Sequence, residues 1–188
     1  MPDMKSPAAS LVVLSGLPGT GKTTLGKMLS RQFGCFYLRA DSVEAPFLSG
    51  LPAGSQSVGG KGYEALINVA RENLQLGHSV ILDLVNPLHL TRAWMTSLAG
   101  QTKSELIQFE LVMQDKETHR RRVESRQLDI PNQEIPSWQD VQAREYEKWD
   151  ESEDGPRTIL KMDDFQSAAR RAEAVLAGKI PRRFEKSI

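Results

Sequence analysis

Apolar positions along the chain fall into two alternating spacings. Leu11, Val12, Val13 and Leu14 form an unbroken apolar run. A run without polar alternation suits a strand buried on both faces of a parallel sheet. Leu25, Met28 and Leu29 then recur at i, i+3, i+4, which predicts a helix over residues 22–33, stopped by Gly34. Further apolar runs at residues 35–38, 80–85, 106–113 and 158–162 predict four more strands. Between them, Tyr63, Leu66, Ile67, Ala70 and Leu74 line one face of a helix over residues 61–76. Residues 88–98 read as a helix beginning near Pro87, and residues 116–127 as one capped by Asp115. Trp138, Val141, Tyr146 and Trp149 share a face, predicting a helix over residues 137–150. Phe165, Ala168, Ala169, Ala172, Val175 and Leu176 predict a last one, ended by Gly178. Strands alternating with helices mean βαβ units, and right-handed crossovers put helices on both faces of a parallel sheet. The expected class is therefore α/β, with five parallel strands in one domain over residues 1–188.

Two stretches interrupt this rhythm. Residues 45–62 hold five glycines and two prolines, and residues 127–137 are polar with prolines at 131 and 136. Long loops in compact domains are commonly functional. The first is expected to contact a substrate and the second to form a short lid.

Composition narrows the function classes. Lys plus Arg and Asp plus Glu are 24 each, so formal charge is zero. That disfavours a dedicated nucleic-acid-coating protein, which needs a positive excess. Cys35 is the only cysteine, so neither an intrachain disulfide nor a cysteine-rich metal cluster forms. The apolar runs are too short to span a membrane, and residues 1–10 lack the apolar core of a secretion signal. A cytoplasmic location with no membrane partner is the expectation.

The sharpest chemical signal is Gly16-Leu17-Pro18-Gly19-Thr20-Gly21-Lys22-Thr23, followed by Thr24. It matches G-x-x-x-x-G-K-[ST] at every fixed position, and it stands between a buried-type strand and a helix, as the motif requires. Gly16, Gly19 and Gly21 allow backbone conformations that turn N–H groups toward one point. The helix beginning at Lys22 adds the positive end of its dipole. Lys22 supplies a point charge for β- and γ-phosphates, and Thr23 a hydroxyl for Mg²⁺. Residues 16–24 thus form a candidate nucleoside triphosphate site. No Asn-Lys-x-Asp guanine-reading segment is present.

With Arg39-Ala40-Asp41-Ser42, Val80-Ile81-Leu82-Asp83-Leu84-Val85-Asn86 and His119-Arg120-Arg121-Arg122-Val123-Glu124-Ser125-Arg126 added in this order, the chain resembles a family. It looks like the small P-loop kinases of the polynucleotide-kinase and zeta-toxin-like ATP-binding (AAA-type) domains, with gluconate and shikimate kinases as more distant relatives. The resemblance runs from Leu11 to about Asp163. It implies the P-loop nucleoside triphosphate hydrolase fold, ATP and Mg²⁺ as cofactors, and transfer of the γ-phosphate to a hydroxyl.

Candidate roles follow from residue chemistry and that resemblance together. Asp41, directly after the second strand, stands where a carboxylate can accept a proton from an attacking hydroxyl; Asp also caps helices well. Asp83, at the tip of a buried strand, stands where P-loop proteins support Mg²⁺, and a turn aspartate is the alternative. Arg122 and Arg126 are four apart on a predicted helix and are candidate clamps for the transferring phosphoryl group. Glu117 and Glu124 could instead make that cluster a solvated, ion-paired face. Polynucleotide kinases carry an arginine three residues after the aspartate, where this chain has Glu44. The expected acceptor is a hydroxyl of a small molecule. A nucleic-acid 5′-hydroxyl is the disfavoured alternative, and a nucleotide-dependent sensor that is no kinase is the third. Trp94, Trp138 and Trp149 are expected to pack, and His78, His89 and His119 show no metal-ligand spacing.

Overall fold

The computed structural model describes residues 8–48, 60–127, 129–130 and 135–182. Its centre is β1 (Ser10–Ser15), in which all six residues are buried. On one side β1 pairs in parallel with β3 (Val80–Asp83), and β2 (Phe36–Arg39) lies outside β3. On the other, β1 pairs with β4 (Glu105–Val112) and β4 with β5 (Thr158–Lys161). The order is β2-β3-β1-β4-β5, all parallel. Leu14 is in register with Asp83, and Asp83 with Arg39. The chain therefore leaves β1, β3 and β2 side by side at one edge, which is where open α/β sheets bind ligands.

Side-chain alternation along β1 divides the interior into two layers. Val12 and Leu14 point to α1 (Lys22–Phe33) and the C-terminal helix, packing with Leu25, Leu29, Ala172 and Leu176. Leu11 and Val13 point to the opposite layer, with Leu66, Ala70, Met95 and Leu98. Those belong to two further helices, Lys61–Gln75 and His89–Thr102. In chain order the helices are α1, α2 (Ala40–Leu48), α3 (Lys61–Gln75), α4 (His89–Thr102), α5 (Lys116–Glu124), α6 (Trp138–Ala143), α7 (Glu151–Asp154) and α8 (Phe165–Ala177). Cys35 is buried against the α1 layer, and burial lifts its thiol pKa to about 11. No helix among the described residues is long and apolar enough to cross a membrane.

The structure departs from the sequence reading in three places. The helix expected over residues 116–127 ends at Glu124, so Arg126 lies beyond it and is not on a common helical face with Arg122. The helix expected over residues 137–150 is only α6. From Arg144 the chain is extended, because Trp149 must reach a buried seat where its indole N–H donates to Gly155 O at 2.9 Å. Residues 45–48 of the expected loop are the last turn of α2, while residues 49–59 lie outside the described set. Of the expected lid, residues 128 and 131–134 also lie outside it.

One element of order came from no motif. Arg92 of α4 is fully buried, and its Nη1 meets Asp154 Oδ2 at 2.9 Å, also buried. Its Nη2 donates to Glu147 O at 2.7 Å and to Pro87 O at 3.1 Å, and its Nε to Asn86 O at 3.3 Å. The guanidinium also lies over the Trp149 ring, 4.6 Å from its centroid. Arg92 thus ties the turn after β3 to the extended arm that carries Trp149.

Candidate active site

Between β1 and α1 the chain turns through Gly16, Gly19 and Gly21, with φ of 147°, 82° and 92°. Gly19 is required twice over. Its φ is left-handed, and a Cβ there would come within 2.6 Å of Val123 of α5. His119, also on α5, is buried and donates through Nε2 to Pro18 O at 2.8 Å. Its ring meets Trp138 edge-on at 5.1 Å. His119 thus braces the loop. Thr20 Oγ1 donates to Leu17 O at 2.9 Å and closes the turn.

α1 begins at Lys22 with no side-chain cap and no acid in its first turn. Its leading N–H groups and dipole therefore favour an anion. The Lys22 ammonium is buried and folds back on Gly16 O and Leu17 O, at 2.7 and 2.9 Å. Burial depresses its pKa to about 8, against the attraction of Asp83 and Asp41. Thr24, next along the helix, is exposed.

Asp83 is buried at the end of β3. Its Oδ2 accepts from Thr23 Oγ1 at 2.7 Å and from the Tyr37 hydroxyl at 2.5 Å. Among the described residues it has no ion pair within 4 Å. Burial and the adjacent carboxylate raise the Tyr37 pKa, which keeps that hydroxyl a donor. Next to Asp83, the turn after β3 holds Asn86 with φ of 52°, fully buried, donating through Nδ2 to Ser15 Oγ at 3.0 Å.

Asp41 stands in the first turn of α2, two residues after the end of β2. It accepts on Oδ2 from Arg39 Nη2 at 2.8 Å and Nε at 3.2 Å, and from Arg126 Nη2 at 3.3 Å. One turn on, half-buried Glu44 lies against Gly62, where a Cβ would come within 2.2 Å of its Cγ. Burial, with Asp41 adding to it and Arg144 opposing, lifts the Glu44 pKa to about 7.

The structure thus brings Lys22, Thr23, Asp83, Asp41 and Arg126 into one neighbourhood. Arg122 goes elsewhere: its Nη1 contacts Met113 Sδ at 3.3 Å, and its charge acts on Asp163. Arg39, Tyr37, His119 and Asp129 are additions to the predicted set. Arg39 was visible as part of the Arg39-Ala40-Asp41 segment, but its reach to Asp129, ninety positions on, left no mark in the sequence. No group of three His, Cys, Asp or Glu among the described residues is placed to hold a metal by itself.

The chain matches the model of the AAA domain family over residues 11–147, well over half its length. It belongs to that family. This AAA domain has the P-loop nucleoside triphosphate hydrolase fold, and solved structures of kinases share it. A sugar kinase from Janibacter sp. HTCC2649 is similar over 90% of this chain and 95% of its own, with TM-score 0.66 and 18% identity. The APS kinase CysC of Mycobacterium tuberculosis, solved in complex with AMPPNP and APS, is similar over 92% and 99%, with TM-score 0.61 and 16% identity. Kti12 of Chaetomium thermophilum, in complex with ADP-AlF3, is similar over 90% and 98%, with TM-score 0.65 and 19% identity. At such identities the likeness is one of fold. No curated protein matches this AAA domain significantly.

Proposed function

We propose that this protein binds Mg·ATP at residues 16–24 and transfers the γ-phosphoryl group to a hydroxyl of a small molecule. The observation that carries this is the convergence at one sheet edge of three things. They are a buried cation on the phosphate loop, the Thr23–Asp83 pair, and a carboxylate, Asp41, held by Arg39 and Arg126.

The residues fit Mg²⁺. A threonine hydroxyl and a buried carboxylate 2.7 Å apart are hard oxygen donors, and Mg²⁺ characteristically takes one or two protein ligands with phosphate oxygens and water. Thr23 and Asp83 would hold it, Asp83 directly or through water. When bound, the ion neutralises charge on the phosphate oxygens. Tyr37 fixes the Asp83 carboxylate by donating to it.

Phosphoryl transfer asks a protein mainly for positioning and charge stabilisation. Lys22 and the α1 N-terminus hold the phosphates. Arg126 is close enough to Asp41 to bridge the acceptor side and the transferring group. Asp41 receives the acceptor hydroxyl's proton. Arg39 and Arg126 fix the direction in which its carboxylate points.

Asp41→Asn keeps shape and removes the basic oxygen. It should leave ATP affinity nearly unchanged and lower acceptor-dependent transfer by about 10²- to 10⁴-fold. Calorimetry with a transfer assay over an acceptor panel measures both, and full transfer by the variant would reduce Asp41 to a helix-terminus residue. The Arg39–Asp41–Arg126 cluster also supports a second reading. A carboxylate already neutralised by two arginines suits a sensor that couples nucleotide state to partner binding. ATP turnover discriminates: acceptors stimulate a kinase and leave a sensor unchanged.

A further inference from the structure

Alongside α1, on the side of β2, lies a cleft of about 400 Å³. Thr23, Thr24, Lys27 and Arg31 line it from α1, the last three at spacings that put them along one side of the helix. Arg39 enters from the end of β2, and Arg126 and Asp129 from the chain after α5. Four cations meet there. Among the described residues, the carboxylates paired with them are Asp129, with Arg39 and Lys27, and Asp41, with Arg39 and Arg126. The balance is positive beside the phosphate loop.

Arg39 decides what that charge is for. It is only 6% exposed, and its two edges face different ways. Nε and Nη2 donate to Asp41, while Nη1 donates to both oxygens of Asp129, at 2.9 and 2.7 Å. Lys27 Nζ adds a contact to Asp129 at 3.4 Å. A buried guanidinium is costly without an anion against it. Asp129, however, is 44% exposed and sits outside any helix or strand. The cation is the fixed part of this pair, and the carboxylate is the part another oxyanion can replace.

We propose that this cleft, which adjoins the phosphate loop at Thr23 and Thr24, holds an oxyanion site of its own on Arg39, occupied by Asp129 until a small acceptor brings its own carboxylate or phosphate to Arg39 Nη1. Calling the ligand the acceptor rests on the kinase reading above. It follows from Arg39 and Arg126, which both line the cleft and both donate to Asp41 Oδ2: a molecule anchored on Nη1 lies one guanidinium away from the proposed proton acceptor. Lys27 and Arg31 supply the outer charge, and the volume suits a small molecule. The acceptor class is thus a small hydroxylated anion.

The test is calorimetric titration of the full chain saturated with Mg·AMPPNP, so that the phosphate loop is filled. The probes are glycerol 3-phosphate, glycerate, inorganic phosphate and glycerol. Both organic anions should bind and glycerol should not. Lys27→Ala and Arg31→Ala should each weaken anion binding about fivefold or more. Asp129→Asn and Asp129→Ala should strengthen it about tenfold, because the internal competitor is gone. Anion affinity unchanged or lowered in both Asp129 variants would overturn the proposal, as would equal binding of glycerol. Inorganic phosphate binding as tightly as the organic anions would overturn the acceptor assignment. Failure of AMPPNP to bind would count against the nucleotide reading alone, since the difference in anion affinity between the wild type and the Asp129 variants still reports on the cleft.

Discussion

Lys22 carries a consequence of its burial that an exposed lysine would not. Its pKa of about 8 means that the free protein loses this charge as pH rises through that value. Phosphates bind the charged form, so the dissociation constant for Mg·ATP should climb toward about tenfold per pH unit above it, until the higher pKa of the complex is reached. Lys22→Arg keeps its proton throughout and should give a flat profile. Calorimetry across that range checks this, and a flat wild-type profile would show that Lys22 stays charged. Thr23 and Asp83 make a second residue-scale prediction. Thr23→Ala and Asp83→Asn should each raise the Mg²⁺ concentration needed for half-maximal turnover, and an unchanged Mg²⁺ dependence in both would remove β3 from the metal side. At this scale the sequence was most legible where a motif fixes spacing, as in residues 16–23. It was least legible where partners meet only in space: nothing in the local pattern pairs Arg39 with Asp129 or His119 with Pro18.

Elements show the same division. Each strand was readable from an apolar run, although only β1 and β3 are buried throughout and the edge strands β2 and β5 are partly exposed. The helix expected over residues 137–150 failed for a physical reason. Trp138, Val141, Tyr146 and Trp149 share a helical face on paper, but burying Trp149 beside Arg92 and Gly155 outweighs the helix that residues 144–150 would otherwise form. Nor did the sequence reveal that Arg92 would be the most deeply enclosed cation among the described residues, since its neighbours on α4 are ordinary helix residues. Among the described residues, Arg92→Ala leaves the buried Asp154 carboxylate only His89 and the Asp150 N–H, and should cost about 3 kcal/mol. Arg92→Ala with Asp154→Ala should cost less than the sum of the two single changes. Denaturant unfolding measures the cycle; additive costs would mean the pair contributes nothing as a pair. Because Arg92 also holds Asn86 O and Pro87 O, the single variant should disturb the crevice before it unfolds the sheet.

For the whole molecule, the loop, β3 and α2 are held by one sheet, so a ligand that joins them stabilises the fold as a unit. Mg·ATP at about a hundredfold its dissociation constant should add about 2.7 kcal/mol. For a chain of this length that is a rise in Tm of about 5–10 °C. Thermal scans should show it in the wild type and not in Lys22→Ala, and an equal rise in both would place the nucleotide elsewhere. The layered architecture was evident from the alternation of strand and helix. Where the anionic acceptor would lie was not, since the cleft draws Lys27, Arg39 and Asp129 from three separate stretches.

The lone thiol makes such motions measurable. Cys35 is enclosed in the α1 layer, and its raised pKa leaves little thiolate at neutral pH. Maleimide dyes should therefore pass over the native protein. A cysteine introduced at exposed Gln127 would be the single position they mark, and a fluorophore there would report whether the chain near Asp129 shifts when an anion enters the cleft.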